Sequence, residues 1–231
     1  MNIFPLNIKN LNYMSKGKKI LKDINFITEE KKITVIAGNN GSGKSTLLKI
    51  LHGIIHHTSG TINWGEIPVH EVRKEQSMVF QNPILLNRTT FENIMYVAKR
   101  KNIETNESVD KIIKQLNLES IINIESKYLS GGEKQKVAIA MSIISNPKII
   151  FLDEPTSQLD PVYKNEIENI ITNLSENNTK IFMTSHDIAQ IDRIGKEIIF
   201  LDDGEIIFHD KVKDFINEKG NSIIRNYVNY G

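Results

Sequence analysis

The chain has 231 residues, 39% hydrophobic and 25% charged, with a formal net charge of +1. That length allows one domain with a substantial core, and the near-neutral charge gives no field to make nucleic acid the main partner. Cysteine is absent, which excludes disulfides, thiolate chemistry and cysteine-type zinc sites.

Strands are predicted at residues 3–8, 20–27 and 33–37, with Pro, Gly and Lys between them. The third runs directly into Gly38-Asn39-Asn40-Gly41-Ser42-Gly43-Lys44-Ser45-Thr46, a complete G-x-x-x-x-G-K-[ST] motif, and a helical pattern follows over 45–51. The motif needs this strand–loop–helix setting. Glycines let successive backbone N–H groups turn inward on phosphate oxygens, and the helix adds its positive N-terminal end. Lys44 supplies a charge for the β- and γ-phosphates, and the Ser45 hydroxyl suits Mg²⁺. A nucleoside triphosphate and Mg²⁺ are thus the expected ligands. A plain Gly-rich turn before a helix is the competing reading.

Further strands are predicted at 61–64 and 77–80, and from 81 to 146 the chain reads mostly helical. Thr89 or Thr90 caps a helix reaching Arg100, Ser108 begins another to Leu116, and a long helix spans 130–145 before Pro147. Ser130 and Glu133 have capping-box spacing. The intervening Gly131 and Gly132 weaken a first helical turn but leave bare backbone at a positive helix end, suited to an anion.

Residues 148–152 form a continuous apolar run, as in a buried parallel strand, and end in Asp153-Glu154. Neighbouring residues on a strand face opposite ways, so the two acids are expected to have different surroundings. Asp153 would hold Mg²⁺ through water, and Glu154 would orient the attacking water and take its proton. A strand that merely ends in surface polar residues is the alternative.

A helix over 161–174 follows, capped by Asp160 with Pro161 at its first position. Then come a strand at 180–184, a short helix at 187–194, a hairpin over 198–208 around Asp202-Asp203-Gly204, and a polar helical tail. The alternation predicts an α/β fold with a mainly parallel sheet and a helical insertion between its two halves. Expected boundaries are 1–80 with 147–210 for the nucleotide-binding core, 81–146 for the helical part and 211–231 for the tail.

Leu129-Ser130-Gly131-Gly132-Glu133-Lys134-Gln135 resembles the signature of the ABC ATPases, and the phosphate loop and Asp153-Glu154 resemble that family's two nucleotide motifs. Its other elements appear in order. Tyr13 stands at the adenine-stacking position, Gln81 at the glutamine loop that contacts metal and senses a partner, Ser157-Gln158-Leu159-Asp160 at the D-loop, and His186 at the γ-phosphate switch. Tyr13 also fits an ordinary strand aromatic, Gln81 a polar loop residue and His186 a surface histidine. Asn39-Asn40 stands where many relatives have proline, and Gln158 where many have alanine; neither change removes a catalytic atom.

The resemblance implies a P-loop NTPase core with a mainly parallel sheet, an N-terminal antiparallel β subdomain and an inserted helical subdomain, in an ATP hydrolase that works as a homodimer. Ser130, Gly131 and Gly132 of one subunit would contact the γ-phosphate held by the other. It further implies an integral membrane permease as partner, an extracytoplasmic solute-binding protein in the system, and a place at the cytoplasmic face of the membrane. No apolar run reaches the ~20 residues of a membrane span, and the N-terminus lacks a signal-peptide core. No room is expected after the hairpin for the C-terminal β-domain of sugar and molybdate relatives. Residues 78–88, 185–190 and 198–204 look like the compact tungstate-type oxyanion importers, with phosphate and polar amino acids as competing solutes.

Overall fold

A computed structural model of the chain describes residues 3–29, 33–103 and 106–230. The apolar runs of the sequence become the middle of one sheet. Strands β3 (Ile33–Gly38), β6 (Ile149–Leu152) and β7 (Lys180–Thr184) are buried at every position. A strand covered on both faces shows no alternation, which is why these segments read as unbroken hydrophobic stretches. With β5 (Gln76–Val79), β8 (Glu197–Asp202) and β9 (Glu205–Lys211) they form a six-stranded sheet of order β5-β6-β7-β3-β8-β9. All neighbours are parallel except the β8–β9 hairpin. Its turn residues Asp203 and Gly204 both have positive φ, 42° and 80°, as a two-residue hairpin of matching twist requires.

A second, antiparallel sheet has the order β2-β1-β4, from β1 (Leu6–Ser15), β2 (Lys18–Thr28) and β4 (Ser59–Trp64). The first strand lies later and runs longer than residues 3–8. Its ladder shifts register after Ile8, and Asn10 takes a left-handed φ of 49°. A bulge of this kind breaks the two-residue alternation that would reveal the second half of the strand.

Helix α1 (Lys44–His52) follows β3, and the short α2 (Val69–Val72), absent from the sequence reading, precedes β5. Helices α3 (Thr90–Arg100), α4 (Asn106–Gln115) and α5 (Gly131–Ile143) lie between β5 and β6. Thr89 caps α3 in a full capping box with Glu92. After β6 come α6 (Pro161–Glu176) and α7 (Ile188–Ile194), and after β9 come α8 (Val212–Ile216) and α9 (Ser222–Tyr230).

The large sheet feeds two cores. Ile149, Phe151, Phe182 and Leu201 join Trp64, α1 and the small sheet, with the Phe151 and Phe182 rings stacked at 5.3 Å. Ile150, Leu152, Met183 and Phe200 face the helices on the other side. Among the described residues no helix is long and apolar enough to cross a membrane.

At the N-terminal edge of the sheet Lys180 is fully buried and donates to Thr28, Thr34 and the Glu29 carbonyl. Glu197 accepts from the Thr28 and Thr34 hydroxyls and meets the His209 ring at 3.1 Å. Burial pushes the Glu197 carboxyl up, but His209, the two threonines and Lys180 outweigh it and hold the group at about 2. Because the folded value lies below the usual 4.5, the stability this group confers is complete above that pH and drains away as pH falls toward 2. Its size at neutral pH is on the order of 3 kcal/mol. Glu197→Gln is expected to lower the unfolding free energy at pH 7, with the gap from the parent chain narrowing between pH 5 and pH 3 in urea titrations. A gap that stays constant would contradict this account.

Candidate active site

Four neighbouring strands deliver the predicted residues to one edge. Gln81 follows β5, Asp153 and Glu154 follow β6, His186 follows β7, and the 38–46 loop follows β3. The carboxyl end of an open α/β sheet is where such folds bind ligands.

The loop depends on glycine at two points. Gly38 has φ 142°, and a Cβ there would sit 2.1 Å from the Leu201 carbonyl oxygen. Gly43, with φ 105°, packs against the Leu21 side chain and caps α1. Asn39, Asn40 and Gly41 are exposed, Ser42 is buried and Thr46 half-buried on the first turn of α1. The β8–β9 turn braces the loop from below, the Gly204 N–H donating to the Ser42 carbonyl at 3.1 Å. Lys44 is buried, and its Nζ donates to the Gly38 and Asn39 carbonyls at 2.9 and 3.0 Å. Burial lowers its pKa, while the nearby charges of Glu154 and Asp153 pull it back up.

Ser45 donates to Asp153 Oδ1 at 2.7 Å, and Thr184 donates to the same oxygen at 2.8 Å. Lys49, one helical turn beyond Ser45, lies 3.8 Å from Asp153 Oδ2. Both acids stand past the end of β6, so strand alternation does not separate them. The separation comes from the backbone: Glu154 takes a left-handed φ of 45°, and its N–H is held by the Thr184 hydroxyl at 2.7 Å. Left-handed, bulky residues are uncommon and concentrate at functional sites. The Glu154 carboxylate is then held between Gln81, whose Nε2 donates to Oε2 at 2.8 Å, and His186, whose Nδ1 lies 3.4 Å from Oε1. Gln81 and His186 are themselves exposed.

Asp160 caps α6 as expected, accepting from the Val162 and Tyr163 N–H groups. Ser130 and Glu133 form the expected capping box, with Glu133 Oε2 2.7 Å from the Ser130 N. The two signature glycines differ. Gly131 is exposed, whereas Gly132 is buried, and a Cβ there would come within 2.3 Å of the Tyr163 ring. Packing against α6, and not only a bare helix end, therefore demands the second glycine. Tyr13 is half-buried on β1, paired with Leu21, the residue that packs on Gly43.

Sequence reasoning missed Thr184, Lys49 and Tyr227. A helical wheel of α1 would have placed Lys49 over Ser45, four residues away. No local signal marks Tyr227, which comes from α9, packs its ring 4.8 Å from Phe200 and accepts from the Gly38 N–H at 3.4 Å. Burial pushes its hydroxyl up to about 12.

The fold and this strand-end arrangement define a P-loop nucleoside triphosphatase with an added antiparallel sheet. Residues 21–157 match the ABC transporter family, and the chain belongs to that family as an ATP-hydrolysing member. It is 34% identical to the tungstate uptake system ATP-binding protein TupC of Peptoclostridium acidaminophilum, over 87% of this chain and 96% of that protein. It is 32% identical to the phosphate import ATP-binding protein PstB of Mycoplasmoides gallisepticum, over 98% of this chain and 76% of the other. Among solved structures, cbiO1 from Clostridium perfringens, part of the ABC transporter complex cbiONQ, is 29% identical. It superposes with a TM-score of 0.83 over 94% of this chain and 92% of its own. The ATP-binding cassette MJ0796, a dimer in a post-hydrolysis state with ADP and Pi, is 28% identical with a TM-score of 0.77, over 90% of this chain and 98% of its own.

Proposed function

We propose that this chain is the ATPase subunit of an oxyanion importer, tungstate first, working as a head-to-tail pair at the cytoplasmic face of the membrane beneath a permease. The observation that carries the ATPase part of this reading is the convergence of Lys44, Ser45, Gln81, Asp153, Glu154 and His186 at four adjacent strand ends. Lys44 binds the β- and γ-phosphates within the N–H-lined 38–46 loop, and Tyr13 stacks on the adenine. Glu154, held between Gln81 and His186, orients water and accepts its proton, and His186 hydrogen-bonds the γ-phosphate.

The described residues contain no cage of three or more His, Cys, Asp or Glu for a metal. Mg²⁺ does not need one, since it commonly takes one or two protein oxygens together with substrate phosphates and water. The Ser45 hydroxyl bonded to the Asp153 carboxylate is such an oxygen pair. Gln81 turns its amide nitrogen to Glu154, which leaves its amide oxygen as the atom for a cation. Bound there, Mg²⁺ would neutralise phosphate charge.

In the pair, Ser130, Gly131 and Gly132 close on the γ-phosphate in the opposite subunit, with Asp160 of the D-loop beside the shared boundary. The interface is two-fold and isologous. The dimeric state of MJ0796 supports this. The helical insertion, near residues 81–146, meets the permease. A cleft of about 300 Å³ lies there, lined by Phe80, Pro83, Ile84, Val97 and Met141, and Ile84 is 76% exposed. TupC supports tungstate, PstB supports phosphate as the alternative, and an extracytoplasmic solute-binding protein would complete either system. Affinity purification in detergent is expected to bring down a membrane-spanning permease. Recovery with ribosomes and no membrane protein would instead favour a soluble, non-transport ATPase.

A further inference from the structure

Beneath the Glu154 segment and the His186 turn lies a buried polar cluster to which the proposed chemistry gives no task. Its centre is Gln190 on α7, only 1% exposed. The Gln190 amide nitrogen donates to Thr156 Oγ1 at 2.7 Å and to Glu168 Oε1 at 3.1 Å. Its amide oxygen accepts from the Ser185 hydroxyl at 2.8 Å. Thr156 stands two residues after Glu154, and Ser185 immediately before His186. One side chain thus holds both segments that carry the groups around the reacting water. Glu168, 4% exposed, fixes the amide in turn, since its carboxylate is gripped in bidentate fashion by Arg193 at 2.8 and 2.9 Å. Asp187 completes the turn. It caps α7 by accepting from the Gln190 N–H at 3.0 Å and pairs with Lys164 of α6.

Satisfying three polar partners with one amide inside the protein is costly unless the geometry is kept, because each partner left unpaired loses about 1–3 kcal/mol. An apolar residue at position 190 would fill the same space without that constraint. We infer that Gln190 is a positioning residue for hydrolysis: its amide clasps the Thr156 and Ser185 segments so that Glu154 and His186 keep one fixed separation. The inference rests on the reading of Glu154 and His186 as the groups around the attacked phosphate. Among the described residues the hydrogen bonds of Gln190 go to Ser185, Asp187, Thr156 and Glu168 and none to the phosphate loop, so its effect is expected on turnover more than on nucleotide capture.

The test uses the purified full chain. Gln190→Met keeps length and volume but removes the amide. It is expected to lower kcat by about 10- to 100-fold, the scale of a small misplacement of reacting groups. The KM for ATP and the affinity for a fluorescent ATP analogue should stay within about two-fold. Thr156→Val and Ser185→Ala each remove one arm. In the parent chain their effects on kcat should be non-additive, and in the Gln190→Met background Thr156→Val should become nearly silent, while Ser185→Ala keeps only the effect of losing the bond its hydroxyl accepts from the Asp187 N–H. A folded Gln190→Met chain with parental kcat would overturn the inference. If that variant melts early, the two arm variants decide: parental kcat in both, at parental Tm, overturns it equally. Normal turnover by Glu154→Gln would remove the underlying reading instead, whatever Gln190 does.

Discussion

Lys44→Ala is expected to abolish measurable nucleotide binding and to reduce ATP turnover to background. The buried ammonium already bonds two loop carbonyls, at 2.9 and 3.0 Å, and this fixes the direction of its remaining N–H. Charge-assisted hydrogen bonds to phosphate are worth about 1.5–3 kcal/mol each, so losing the group costs roughly 10- to 100-fold in affinity per bond. Alanine also strips the Gly38 and Asn39 carbonyls of their partner, which loosens the loop as well as removing the charge. Titration with a fluorescent ATP analogue and a steady-state phosphate assay check both parts. Full activity in the variant would reject the phosphate-loop assignment. A lower Tm with intact binding would mean that Lys44 only ties the loop together.

How far the sequence discloses this architecture depends on whether a feature is local. The runs at 33–37, 148–152 and 180–184 are strands buried on both faces, and their hydrophobic continuity shows in one window of residues. The capping box at Ser130 and the Asp203-Gly204 turn are equally local and appear where the spacing puts them, and of the two threonines open as the cap of α3 it is Thr89 that serves. The first strand was obscured by its own bulge at Asn10, which interrupts the alternation. What stays hidden is contact at long range. Thr184 is 31 residues from Asp153 and Tyr227 is 189 from Gly38, and neither distance leaves a mark on neighbouring residues. Gly132 gives the same lesson. Its flanking sequence suggests a bare helix end, but the ring that requires it belongs to Tyr163, thirty-one positions later. Glu154 shows that a correct expectation can rest on an incorrect cause. The two acids do differ in surroundings, but through a left-handed turn and not through strand alternation.

Glu154→Gln should bind ATP much as the parent chain does, turn it over about 10²- to 10³-fold more slowly, and accumulate as a dimer with Mg·ATP. The substitution keeps shape. The left-handed backbone is held by the Thr184 hydroxyl on the Glu154 N–H, which the side-chain change does not touch. One amide oxygen can still accept from Gln81, but an amide cannot take a proton from water. On the proposed assignment nucleotide capture lies with the Lys44 loop, so the affinity of the single subunit should be preserved. Closure follows from linkage. In the proposed pair ATP would contact both subunits when closed and one when open, so it would favour closure by its differential affinity, and hydrolysis would release that preference. Size-exclusion chromatography with and without Mg·ATP reads the dimer, and a phosphate assay reads turnover. Parental turnover removes Glu154 from the base role. Slow turnover in a chain that remains monomeric at saturating Mg·ATP keeps that role but argues against a signature acting in trans, because Ser130 and Gly131 would then have no second nucleotide to close upon.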